Sequence, residues 1–333
     1  IEHAVRAAMT LWLVLFGVDV GGTSWVVFWR VAVAVAALGI GGSYWAVWRS
    51  VRPGRWAALA AVSGLAYLLA AYAGLEGWEF PIPWGVQALA LAGVFIGLAV
   101  PVYRRRETLT EGNVALAALA VGATALISLA VPLELKREWI TVAWAIEIPA
   151  LAWIGLRLRV PALGKLAGAM GAMVALRLLL NPAILLYPIG ENVVFNWLIY
   201  GYGIPIAAFA AGAYLFRRDG QDKIADGLEV GAIFLGFAYF TLAVRKFFHP
   251  GELGDNSFVF AEIGSYTVMW LFYALALLAV SEKTEKRIHA VPGVVIGMLA
   301  LVQGLLAQGL VANPYFTLHR VGPTLIFNKV LFV

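Results

Sequence analysis

Apolar residues fall in long runs, broken at near-regular intervals by short polar stretches. With soft ends the runs are Ala4–Val20, Trp25–Trp48, Trp56–Leu75, Trp84–Val102, Asn113–Pro132, Trp139–Leu156, Pro161–Leu180, Val194–Phe216, Ile224–Val244, Ser265–Val280 and Ala290–Val311. A twelfth begins near Leu325 and has run nine residues by Val333, a rise of about 13 Å and too short to cross a bilayer. Roughly 20 apolar residues in helical form span the hydrocarbon layer. No run keeps a sustained period-two alternation, which argues for helices and against a barrel. The pattern predicts an all-α, polytopic transmembrane helical bundle of about 11 complete spans plus a truncated one.

Composition agrees. Of 333 residues, 62% are hydrophobic and 13% charged, with a mean hydropathy of +0.86. A soluble domain carries about 25% charged residues, so a soluble enzyme or a disordered tail is excluded. The absence of cysteine excludes disulfides, thiol catalysis and iron–sulfur ligation. The four histidines (His3, His249, His289, His319) do not pair at metal-ligand spacing, so neither a metal nor a cofactor is expected. The start carries no secretory signal pattern. Because the chain opens on Ile1 and stops inside an apolar run, it reads as a piece of a longer protein. The expected partners are then the lipid bilayer, other membrane subunits and the missing parts of the same chain.

The net charge of +5 and pI near 9.4 would suit nucleic acid, but the placement of the cations assigns them to loops. Arg6, Arg49 to Arg55, Arg104 to Arg106, Arg157 to Lys165, Arg217 to Lys223 and Lys283 to Arg287 put 16 of the 24 on one side. The other side has five: Lys136, Arg137, Arg245, Lys246 and Arg320. Arg30, Arg177 and Lys329 lie within spans. By the positive-inside rule the rich side is cytoplasmic, as is the N-terminus of this piece. Trp25, Trp56, Trp84 and Trp139 mark span ends, as interfacial aromatics do. The opposite loops hold apolar stretches, Ile184 to Leu186 and Phe258 to Phe260, that predict short helices lying in the interface.

Two stretches repeat. Asn181-Pro182, Leu186, Gly190 and Phe195-Asn196 match Asn313-Pro314, Leu318, Gly322 and Phe327-Asn328 at an offset of 132. Upstream, Thr141-Val142-Ala143-Trp144 echoes Thr267-Val268-Met269-Trp270 at an offset of 126. The six-residue difference is expected in the loop from Ser281 to Arg287. The reading is a parallel repeat of a four-helix unit. It divides the chain into an N-terminal region 1–110 with a weak first copy, a unit 111–223 and a truncated unit 224–333.

The repeated residues also carry a resemblance. Trp144-Ala145-Ile146-Glu147 followed by Trp153-Ile154-Gly155 resembles the W-A-L-E…W-L-G pattern of a bacterial predicted-membrane-protein family, domain of unknown function 2339. Leu180-Asn181-Pro182, Phe195-Asn196-Trp197-Leu198 and Tyr200-Gly201-Tyr202-Gly203 resemble its proteobacterial members. So does Arg245 to Pro250, similar to an R-H-x-x-H-G stretch, with Lys246 in place of the first histidine. The resemblance runs from about Asn113 onward. It implies a multi-pass inner-membrane protein and brings no chemistry with it.

Glu147 is the deepest charge, near the middle of its span, where an ionised group costs roughly 2.5 to 3.5 kcal/mol on insertion scales. It reads either as a proton or cation site or as a hydrogen-bonded helix tie. Arg177 and Arg30 lie nearer their span ends, within reach of the interface by snorkelling. An outer-face cluster comprises Asn181, Asn196, His249, Glu252, Asp255 and Asn313. Asn181 and Asn313, each followed by proline, have the pattern of helix caps. His249 with Glu252 and Asp255 is either an acid–base group or a solvated turn. No P-loop, HExxH or GxSxG is present. Three functions stay open. The first is transport of a small solute or lipid-linked molecule past Glu147. The second is a structural or assembly subunit of a cell-envelope complex. The third, an enzyme acting on lipid-linked substrates at the outer face, is disfavoured by the shortage of paired acids and histidines.

Overall fold

The computed structural model describes residues 25–74, 83–135, 137–187, 196–250, 253–254 and 258–311. These form ten α-helices and no strand. They are α1 (Trp25–Val47), α2 (Pro53–Gly74), α3 (Trp84–Arg104), α4 (Gly112–Glu134), α5 (Arg137–Leu158), α6 (Pro161–Leu180), α7 (Ile204–Arg218), α8 (Asp222–Phe248), α9 (Phe260–Thr284) and α10 (Arg287–Gln303). A 3-10 helix, Pro182–Leu186, follows α6. A π turn, Ile199–Gly203, leads into α7, and α10 runs on as the π-helix Gly304–Val311. Among the described residues, nine helical segments from Pro53 to Ala307 are long and apolar enough to cross a membrane. The predicted first and twelfth spans lie outside the described residues.

Local signals explain most boundaries. Pro53 and Pro161 open α2 and α6, where a missing N–H costs nothing and a fixed φ suits the helix. The end of α5 is a left-handed cap. Arg159 has φ 54° and the Val160 N–H donates to the Gly155 carbonyl. The end of α9 is similar, with Glu285 at φ 58° and its N–H donating to the Ser281 carbonyl.

The described residues divide into two compact units. One contains Ile1–Ile140 and Ile154–Leu166, the other Thr141–Trp153 and Ala167–Val333. In the first unit α4 is central and packs on both α2 and α3, while α1 packs on α2. Small residues allow this: a side chain at Gly122 would run into Ala61, and one at Gly64 into the buried ring of Phe95. In the second unit α8 is central, against α7, α9 and α10. Its core holds Ile148, Phe209, Phe216 and Leu228. Large apolar side chains such as Leu38, Leu176, Phe272 and Leu301 point outward, as a lipid-facing surface requires.

Three expectations change. First, α8 extends four residues beyond Val244 and α9 begins five residues before Ser265, because the charges there pair with each other. Second, Phe258 to Phe260 form no separate interfacial helix; Phe260 opens α9. Third, the offset of 126 continues past the Ser281 to Arg287 loop. Leu158 and Thr284 end their helices, and Pro161 and Arg287 begin the next, at that same spacing. The expected six-residue difference therefore does not fall in that loop.

Candidate functional site

Charge gathers at the two ends of α8. Arg245 and His249 stand one turn apart near its C-terminus, and Glu262 and Tyr266 one turn apart at the start of α9. Facing each other, they form a closed cluster. Arg245 Nη1 donates to Glu262 Oε1 at 2.7 Å, and Tyr266 OH donates to the same oxygen at 2.8 Å. His249 Nε2 lies 2.9 Å from Glu262 Oε2, and the Val259 N–H reaches that oxygen at 3.4 Å as the α9 cap. Arg245 Nε also donates to the Leu253 carbonyl, and its guanidinium stacks over Phe258 at 4.6 Å. The Glu262 side chain is fully buried, and those of Arg245 and His249 are only 8% and 9% exposed. Each carboxylate oxygen thus has two donors, which is what allows an ionised Glu to be buried.

At the other end, Arg217 in the last turn of α7 donates to Asp226 at 2.9 Å and to Glu229 at 2.5 Å on α8. Asp222 lies 3.8 Å from Arg217 Nη1. His289 Nε2 of α10 stands 3.1 Å from Glu229 Oε1, and Lys286 Nζ stands 3.7 Å from it. His289 Nδ1 is buried with no hydrogen-bond partner among the described residues.

Between the clusters runs a polar seam. Tyr273 OH donates to the Ile233 carbonyl at 2.7 Å, and Trp270 Nε1 donates to Thr241 Oγ1 at 3.0 Å. Glu229, Ile233, Phe237, Thr241 and Arg245 of α8, and His249 just past its end, follow i, i+4 steps, a ridge that winds round the helix. Thr267 bonds Gln303, which donates to the Ile263 carbonyl and so ties α9 to α10.

The sequence candidates land unevenly. His249 is largely buried and pairs with Glu262, while Glu252 and Asp255 lie outside the described residues. Asn181 caps the 3-10 helix by accepting from the Ala183 N–H at 3.1 Å, and Asn196 accepts from the Leu198 N–H at 2.9 Å. Asn313 lies outside the described residues, as does the side chain of Arg30. Arg177 is half-buried, and its Nε donates to the buried Thr141 hydroxyl at 2.9 Å, so snorkelling alone does not describe it. Glu147 is half-buried midway along α5. Glu262, the most buried acid among the described residues, falls where the hydropathy pattern reads a loop. The signal was there in the two i,i+4 pairs, Arg245 with His249 and Glu262 with Tyr266. No group of three or more metal-ligating side chains is present among the described residues.

A bundle of long apolar helices, tied by buried ion pairs and edged with cations, defines a multi-pass membrane protein. The chain belongs to the family described as predicted membrane protein (DUF2339), whose model matches residues 3–180 and 160–304. That extends the resemblance seen from about Asn113 back towards the N-terminus. No curated protein and no solved structure matches the chain.

Proposed function

We propose that this chain is the membrane-embedded part of a bacterial inner-membrane protein serving as a structural or assembly subunit of a cell-envelope complex. The observation that carries this reading is the Glu262 cluster. Its carboxylate is saturated with four donors and sealed from solvent, which suits a helix clamp better than a catalytic acid needing a free lone pair. The positive-inside bias supports a cytoplasmic location for the Arg217 end of α8 and a periplasmic one for the Glu262 end. The common offset of helix boundaries around 158–161 and 284–287 supports the repeat reading.

Blue-native electrophoresis of the full-length protein, extracted mildly from its own membrane, tests this. The expected result is a discrete assembly heavier than the protomer that is unchanged by Glu147→Gln. The competing reading, solute transport past Glu147, rests on that half-buried carboxylate near the centre of α5. A lone protomer whose solute uptake is abolished by Glu147→Gln would overturn the scaffold. For topology, a reporter fused after Arg218 should report cytoplasm, and a periplasmic signal would reverse the orientation.

A further inference from the structure

In the second unit, α6 and α8 do not close on each other along their whole length. Gly168, Gly171, Ala172 and Ala175 of α6 face Ile224, Gly227, Leu228 and Gly231 of α8 across a groove of about 290 Å³, with Phe209 of α7 also in its wall. On each helix these residues follow the i, i+3, i+4, i+7 pattern of a single face. The groove runs roughly 12 Å along the helix axes from Lys223 to Gly231 at 1.5 Å per residue. Its size is at the lower end of ligand clefts, roughly 300–1,000 Å³. The lining has one charge, the exposed Lys223 at the mouth, which makes no ion pair among the described residues. Lys223 sits on the side of the chain that carries most of its cations.

Two features select an occupant. Apart from Lys223 the walls are glycine, alanine and apolar side chains, so they suit hydrocarbon and offer a polar solute almost no partner. The single cation at one end suits a phosphate held at headgroup depth, the arrangement in which basic pockets between transmembrane helices take anionic lipids. We propose that the groove holds one acyl chain of an anionic phospholipid whose headgroup phosphate meets Lys223. This goes beyond the scaffold reading and stands or falls separately from it.

The test uses the full chain, delipidated in a neutral detergent. It is titrated with dioleoyl-phosphatidylglycerol or dioleoyl-phosphatidylcholine, and adducts are counted by native mass spectrometry. The wild type should prefer phosphatidylglycerol by about fivefold, the effect of one cation beside an anionic headgroup. Lys223→Gln should erase the preference while keeping the phosphatidylcholine level of binding. Gly227→Leu should weaken both adducts, because a Cβ there meets nothing within 4 Å and the longer side chain fills the groove. Ala172→Leu fills it from the facing helix and should act alike. Equal binding of the two lipids by the wild type would overturn the headgroup assignment. Undiminished phosphatidylglycerol adducts in both filled variants would place the lipid elsewhere and sink the proposal.

Discussion

The hairpin α5–α6 and the hairpin α9–α10 are built to one plan and charged differently. Both turn through a non-glycine residue in the left-handed region, Arg159 in one and Glu285 in the other. Both tie their helices with a threonine at the same spacing. Thr141 bonds Arg177 and Thr267 bonds Gln303, each pair 36 residues apart. At the position of Glu147 in the first hairpin, the second has Tyr273, which donates to the Ile233 carbonyl. At the mouth of the second, Glu262 gathers Arg245, His249 and Tyr266. The difference separates scaffold from cargo. The spacing is shared but the bond is reversed, since Thr141 accepts from the Arg177 guanidinium whereas Thr267 donates to the Gln303 side-chain oxygen. The ionic groups therefore differ between the two hairpins while the helix boundaries do not.

The largest expected effect comes from removing one of these ionic groups. Glu262→Ala leaves Arg245 buried without its anion and should destabilise the protein by about 3–5 kcal/mol, read by denaturant titration of the purified chain in micelles. A loss below about 1 kcal/mol would mean the pair is solvated and the clamp illusory. Next, Thr141→Val and Thr267→Val should each cost about 0.5–1.5 kcal/mol in the same titration, since each removes one helix–helix hydrogen bond. A marked inequality between the two would break the common plan. A smaller effect, of opposite sign, is expected at the turns. Arg159→Gly and Glu285→Gly should each raise stability by up to about 1 kcal/mol, because glycine adopts positive φ without strain, visible as a higher midpoint of thermal unfolding.

Much of the bundle was legible because hydrocarbon thickness and helix rise set span length without reference to neighbours. Pro161 and Leu180 bound α6 as the apolar run did, and Trp84 opens α3 where the aromatic signal put it. The clusters were not legible in the same way. A hydropathy reading ends a span at a charge, so Arg245, Lys246 and Glu262 became loop. Only the fold shows that the cation and the acid neutralise each other and let the helices continue. The π-helix after Gln303 was hidden for a related reason. The apolar run continues unbroken through it, so hydropathy does not register the change of hydrogen-bonding pattern.

The spacing within the Glu262 cluster has a consequence for biosynthesis. Arg245 precedes Glu262 by 17 residues, so the ribosome delivers the cation about 1–3 s before its counter-ion at ordinary elongation rates. During that interval the C-terminal turn of α8 carries an unneutralised guanidinium. The two charges can therefore neutralise each other only once both helices have been made, so these helix ends are completed as a pair.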